Sequence, residues 1–248
     1  MTTSTSRRSS SSEVTDPQTF EGRSSISLGS GLRCEIRTTT TLEGDFRTDI
    51  EPSVLEARRR GILDAEWTWL RQVHGAEVVT VSRPGEFAGE IADGAVVGVV
   101  GAPIAVTTAD CAPVVLVASN AIAVVHAGWR GAEAGIVERA AGELTARGAQ
   151  PVATFLGPCI GPSHYEFGQA DLARLIDRFG PTVGAVTVDG APALDLPAVI
   201  ASACRQAGWP APQRPPCTSD PMYFSHRTRS DRGRQTTVAW MEPTDGPS

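Results

Sequence analysis

Lysine is absent from this chain: all 22 of its basic residues are arginine. A Schiff-base or pyridoxal-phosphate enzyme needs a lysine amine, a P-loop needs its lysine on the phosphates, and a kinase needs the lysine that pairs with its helix glutamate. None of these can operate here in its usual form. Excess positive charge is lacking too, because 28 acidic residues give a net charge of −6 and a pI near 5.3. That balance excludes a polyanion binder, so no nucleic-acid polymer is expected as a partner. The five cysteines, Cys34, Cys111, Cys159, Cys204 and Cys217, are widely spaced without a CxxC pair, which argues against a disulfide framework. No apolar run is long enough to span a bilayer: the most apolar stretch, Gly94 to Ala109, is flanked by Asp93 and Asp110 and broken by glycines and Pro103. It reads as buried strands with a turn. The head, MTTSTSRRSSSSEVTDPQ, has two arginines and no apolar run after them, hence neither signal nor anchor, and a cytoplasmic protein with no membrane contact is expected.

What is present is a chain of 248 residues, 41% hydrophobic and 20% charged, enough apolar material for a substantial core. A single domain over residues 24–242 is expected, with a disordered Ser/Thr-rich tail at 1–23 and a short tail at 243–248. Short β-rich runs recur at Glu77 to Val81, Ala95 to Val100, Ile104 to Thr107, Val114 to Ala118 and Ala121 to Val125, and VATFL follows at Val152 to Leu156. Ser119-Asn120 between two of these runs predicts a hairpin. Ile136, Ala140 and Leu144 repeat at four, predicting a helix from Ala132 to Arg147 with Gly148 as its stop; further helices are predicted at Pro52 to Ile62, Gln169 to Phe179 and Leu196 to Gly208. The proline-rich Gly208 to Cys217 reads as an ordered loop. Strands first, then strands mixed with helices, indicate an α+β fold, a single layered domain with mixed sheets covered by helices.

Histidine is scarce, with four in the chain: His74, His126, His164 and His226. His74 lies in RQVHG, after the strand-like WTWL. His126 ends the strand AIAVVH, and Cys111 stands at the start of PVVLVA. Two imidazoles and a thiol at the ends of strands are the donor set of an open zinc site, whose free position takes water or substrate. Two other readings use the same residues. Cys111 can be a small buried hydrophobe and His126 a core histidine, or Cys111 can be a nucleophile with His74 or His126 as its base. The metal-ligand and nucleophile uses of the sulfur both require a thiolate and predict an electropositive setting.

HAGWRG places Gly128 and Gly131 between a strand and a helix, where free backbone N–H groups and Arg130 could receive an anion such as phosphate. The competing reading is a tight turn with Arg130 in a salt bridge. The arginine-dense YFSHRTRSDRGR adds Arg227 and Arg234, whose forked guanidinium groups suit phosphate or carboxylate.

In order along the chain, RQVHG, TTADCAPVVL, VVHAGWRGAEAGIVERA, LGPCIGPSHYEFG, CTSDPMYFSHRTRSDRGR and VAW resemble the YfiH family of purine nucleoside phosphorylases, formerly described as laccase-domain or polyphenol oxidase proteins and linked to peptidoglycan editing. The similarity spans roughly Trp67 to Met241. It implies a YfiH-like α+β domain with catalytic zinc held by His74, Cys111 and His126, copper being the less suited ion. It implies purine nucleosides (adenosine, inosine, guanosine or methylthioadenosine) and phosphate as substrates, with adenosine deamination as an added activity, and it fits the expectation of Arg130, Arg227 and Arg234 at the substrate. A monomer is the expected state. The segment Arg37 to Ile50, RTTTTLEGDFRTDI, departs from the family's STRxGGVSxxPYxSLNLG pattern, so the loop expected to help close the nucleoside pocket is altered; His226 stands where an aromatic residue is common. Two alternatives accompany this reading: a Cys/His hydrolase acting on a peptidoglycan precursor, and a non-catalytic metal-binding paralogue. A multicopper oxidase would need many more than four histidines.

Overall fold

The structure is a computed structural model that describes residues 22–29 and 31–244. Most of the two tails expected from the sequence lies outside the described residues, while residues 22–23 and 243–244 are ordered parts of the body. In chain order the elements are β1 (Arg23–Gly29), β2 (Leu32–Thr38), α1 (Pro52–Ile62), β3 (Thr68–Trp69), β4 (Val78–Val81), β5 (Gly94–Val97), β6 (Ile104–Thr108), β7 (Ala112–Ala118) and β8 (Ile122–Ala127). There follow α2 (Trp129–Glu133), α3 (Ile136–Ala146), β9 (Pro151–Leu156), α4 (Gln169–Phe179), β10 (Gly184–Val186), β11 (Pro192–Leu194), α5 (Leu196–Gln206), α6 (His226–Arg229) and β12 (Gln235–Pro243).

Two five-stranded mixed sheets carry the architecture, in the orders β1-β2-β12-β6-β3 and β4-β5-β8-β7-β9. Pairing is antiparallel except for β3 with β6 and β4 with β5. Alternation along β7 explains why its apolar run is continuous. Val115 and Val117 join Ile104, Val106 and Met241 between the sheets, while Val114 and Leu116 face α3, α4 and α5. A strand covered on both sides needs no polar face. The helices supply the third layer: Ile136, Val137, Ala140 and Leu144 of α3 are buried against that outer face with Leu172, Leu175, Val199 and Ile200. The α+β expectation holds.

The boundaries differ where glycine intervenes. The helix expected from Ala132 to Arg147 is two helices, because Gly135 adopts φ +88° and ends α2. The run expected to reach Val100 ends as β5 at Val97, and the chain turns through Gly101 at φ +75° into β6. The predicted hairpin forms as β7 and β8, with the Ala118 amide donating to the Ala121 carbonyl across Ser119-Asn120. None of the helices among the described residues is long and apolar enough to cross a membrane.

Candidate metal centre and active site

The β7–β8 hairpin brings Cys111 and His126 together. Its stem pairs Ala112 with Ala127 and Pro113 with His126, so the residue preceding β7 lies beside the end of β8 despite a gap of 15 residues. His74 arrives from a loop beyond β3. Its Nε2 is 3.8 Å from Cys111 Sγ, and its ring meets that of His126 edge-on at 4.8 Å. One donor atom from each of the three residues lies within 4.8 Å of the others.

A buried carboxylate assembles this cluster. Asp93, fully buried at the entry to β5, accepts the backbone N–H of Val73, His74 and Gly75 at 3.2, 2.9 and 2.8 Å. It also accepts Nδ1–H of His126 at 2.8 Å. The first three bonds hold His74 at φ +60°, a left-handed conformation that costs a non-glycine residue energy. The fourth leaves Nε2 of His126 free to serve as a ligand, the usual arrangement of a carboxylate behind a metal-binding histidine. Burial pushes the Asp93 carboxyl up, and the bonds from His126 and the backbone amides more than offset it, leaving it below the ordinary carboxylate value.

A second carboxylate anchors the thiol. Asp110 takes φ +87° immediately before Cys111. Its side chain accepts the hydroxyls of Thr218 and Ser225, each at 2.7 Å, and the amide of Arg227 at 2.6 Å. Gln72 ties the His74 loop to β6, donating to the Thr107 carbonyl and accepting the Thr107 amide, both at 2.8 Å. Asp93 and Asp110 were visible in the sequence merely as the acidic flanks of an apolar stretch; the signal for a role is that each is an acid bordering continuous buried strand.

Around the sulfur, burial pushes the Cys111 thiol up, while His126 and His74 pull harder in the other direction and lower it to about 6. The His126 imidazole is raised to about 9; burial works against its charge, and Cys111 and Asp93 outweigh it. The pair thus favours thiolate with imidazolium, the electropositive setting expected for a metal-binding or nucleophilic cysteine. Gly128 permits the approach: a Cβ there would come to 3.0 Å from Cys111 Sγ and 3.1 Å from His74 Cδ2.

The three donors line a cavity of about 620 Å³ that also includes Arg130, Arg227 and Arg234, so the structure gathers all of the site residues expected from the sequence. Arg130 stacks over Trp129 at 4.3 Å without a carboxylate partner among the described residues, in place of the salt bridge that the competing reading required. Arg227 lies over Tyr165 at 4.9 Å and donates to the Glu166 carbonyl. Arg234 is tied to the carbonyls of Asp231, Arg232 and Gly233. Two further arginines, Arg47 and Arg71, complete a cationic wall that the sequence reading did not single out. Thr108, on the same wall, is 2% exposed, and its buried hydroxyl has no hydrogen-bond partner among the described residues. A buried hydroxyl of that kind suits a polar ligand atom.

Residues 40–242 match the family described as Multi-copper polyphenol oxidoreductase laccase. The chain is 37% identical over 210 residues to a purine nucleoside phosphorylase of Mycobacterium tuberculosis, covering 80% of this chain and 84% of that one. It is 40% identical over 186 residues to a purine nucleoside phosphorylase of Xylella fastidiosa, covering 70% and 71%. Among solved structures it is similar to YlmD from Geobacillus stearothermophilus, with TM-score 0.71 and 23% identity over 90% of this chain and 97% of that one. The Bacillus licheniformis protein YfiH aligns with TM-score 0.72 and 19% identity over 84% and 92%.

Proposed function

The chain, matched over residues 40–242, belongs to the family described as Multi-copper polyphenol oxidoreductase laccase and is similar to relatives named purine nucleoside phosphorylase, and from that premise we propose that it is a zinc-dependent purine nucleoside phosphorylase. The observation that carries this reading is the convergence of His74, Cys111 and His126 on a cavity walled by five arginines. Two imidazoles and a thiol suit zinc in a site with three protein ligands, and Asp93 already fixes the His126 tautomer that leaves Nε2 to the ion. The donor set is too small for a cluster of copper ions. When bound, zinc would supply a Lewis acid with an open coordination position.

The rest of the chemistry falls to the protein. Phosphorolysis brings a phosphate oxygen to the sugar C1′ as the purine departs. Arg71 and Arg130, neither paired with a carboxylate among the described residues, give phosphate a cationic wall, and a planar guanidinium can take two of its oxygens at once. Arg227, held by Tyr165 and the Glu166 carbonyl, is oriented in advance, so that little side-chain freedom is lost on binding. Trp129 and Tyr165 offer aromatic surface to the nucleoside, and Thr108 offers its hydroxyl. Holding phosphate and nucleoside together in one cavity converts a bimolecular step into an oriented one.

The test is a phosphate-dependent assay of zinc-loaded protein with adenosine, inosine, guanosine and methylthioadenosine. Free base appearing only with phosphate supports phosphorolysis, inosine formed from adenosine without phosphate reports deamination, and no product from any nucleoside overturns the reading. The Cys111–His126–Asp93 alignment favours one competitor, a thiol hydrolase with Asp93 orienting the base. Under that reading iodoacetamide alkylation of Cys111 is slowed by substrate and activity survives chelation; under ours, zinc protects the thiol and chelation abolishes turnover.

A further inference from the structure

The site described above uses Cys111 and leaves four free thiols. Two of them, Cys159 and Cys217, are partners in an isolated parallel bridge. The Cys159 amide donates to the Pro216 carbonyl at 3.3 Å and the Thr218 amide to the Cys159 carbonyl at 3.1 Å, so the two backbones run side by side at this point. Paired strands lie about 4.8 Å apart, within the Cα separation of about 4.4–6.8 Å that a disulfide spans. Both cysteines line the same cavity of about 300 Å³, alongside His164 and Arg214.

Their surroundings differ. Cys159 is fully buried; burial, with Cys217 next to it, pushes its thiol well up. Cys217 is half-buried, and its sulfur accepts the backbone N–H of Gly161 at 3.1 Å and of Ser219 at 3.5 Å. Cys217 is the accessible member of the pair and carries both amide contacts, so the first oxidation falls to it, with Cys159 across the backbone bridge.

We propose that Cys217 is a peroxide-reactive thiol and Cys159 its resolving partner, a site of reversible disulfide formation. The Cys217 sulfur attacks hydrogen peroxide, an S–O bond forms as the O–O bond breaks, and the departing oxygen leaves as water once protonated. The Cys159 sulfur then attacks the resulting sulfenic acid; the S–S bond forms, the S–O bond breaks and a second water leaves. Two thiols lose two electrons and two protons in all, and one peroxide is reduced to two waters. The residue after each cysteine bonds Asp110: the Ile160 amide to its carbonyl at 2.9 Å and the Thr218 hydroxyl to its carboxylate at 2.7 Å. The pair is thereby one residue removed from the anchor of Cys111.

The full-length zinc-loaded protein is treated with hydrogen peroxide, blocked with N-ethylmaleimide, digested without reductant and mapped by mass spectrometry. The expected product is a cross-linked peptide pair containing Cys159 and Cys217 that dithiothreitol separates. In Cys159→Ser the cross-link disappears and dimedone labels Cys217. Should that core variant fail to fold, Cys217→Ser at the half-buried position serves, and Cys159 must then stay reduced under peroxide. A Cys217 that remains fully alkylated after peroxide, that runs on to sulfinic acid in the native chain without cross-linking, or that pairs with any cysteine other than Cys159 overturns the proposal.

Discussion

Replacing Asp93 by asparagine tests whether one carboxylate builds the metal centre. Oδ1 accepts His126 Nδ1–H and the His74 amide, and Oδ2 accepts the amides of Val73 and Gly75. An asparagine keeps one oxygen and turns the other into a donor. If the amide nitrogen takes the Oδ2 position, two backbone N–H groups face it; if it takes the Oδ1 position, His126 loses its acceptor and the His74 amide is orphaned. Either way two donors go unpaired, which at about 1–3 kcal/mol each spans about 2–6 kcal/mol, and because the backbone donors are only part-buried the loss falls in the lower half, about 3 kcal/mol. For a domain of this size that lowers Tm by about 6–12 °C. The effect on metal is separate, because the variant frees both the His126 tautomer and the strained His74 backbone. Loss of an outer partner to a ligand weakens binding about 10–100-fold, or about 1.4–2.8 kcal/mol. Zinc affinity is measured by competition with a chromophoric chelator, and stability by thermal melting with and without zinc. An affinity within twofold of the native chain would refute the reasoning even if Tm fell, since it would show Asp93 to be structural alone.

Four other outcomes follow from the same geometry. Cys111→Ser keeps the shape of the site and removes the soft donor, so zinc stoichiometry by atomic absorption falls from one per chain while circular dichroism is unchanged. Arg71→Ala and Arg130→Ala each raise KM for phosphate about tenfold or more, the worth of a charged hydrogen bond, with zinc content unchanged; an unaltered phosphate KM in both would remove them from the anion site. Gly128→Ala pushes a methyl against Cys111 Sγ and His74 Cδ2, and its zinc affinity should drop several-fold in the same chelator competition. At Asp45, burial raises the carboxyl and the bonds from Arg47 and Arg234 outweigh it, so the folded group sits below its ordinary value. It contributes stability above the ordinary carboxylate range that is lost as pH falls through its folded value. Asp45→Asn should therefore destabilise by about 1 kcal/mol at pH 7, discounted for solvent exposure, with the gap to the native chain closing as pH drops below about 3.9; a gap constant from pH 7 to pH 2 would contradict this.

The sequence made half of the site legible through local geometry. The hairpin signal at Ser119-Asn120 between two apolar runs already places the start of one strand beside the end of the other, which is where Cys111 and His126 stand. His74 could not be placed in that way. It reaches the pair through hydrogen bonds to Asp93, across a separation set by tertiary folding, and neither periodicity nor turn chemistry reports such contacts. The same holds for Asp110, whose partners Thr218, Ser225 and Arg227 lie more than a hundred residues away. Helical spacing located α3 but missed the break at Gly135, because Ala132 and Ile136 fit one repeat until the backbone at the glycine is known. The strands β1, β2, β10, β11 and β12 were not legible as strands; the polar and arginine-bearing faces of β1 and β2 dilute their alternation.

The segment from Arg37 to Ile50, which departs from the resembled pattern, builds part of the cavity wall. Without paired glycines, the chain after β2 turns on a capping box, in which the Thr40 hydroxyl accepts the Leu42 amide at 3.2 Å and Glu43 accepts the Thr40 amide at 2.8 Å. Phe46 then anchors it at 1% exposure, with its amide on the Arg234 carbonyl. Asp45 clamps the same junction, accepting the amides of Arg47 and Arg234 at 2.9 and 3.0 Å. The result is that Arg47, Thr48 and Asp49 line the cavity containing the three donors. Arg47 thus reaches the wall from this segment, which also positions its guanidinium through a bond to Asp45 at 2.7 Å. The segment therefore brings to the cavity wall both an arginine and the acid Asp49 that pairs with it.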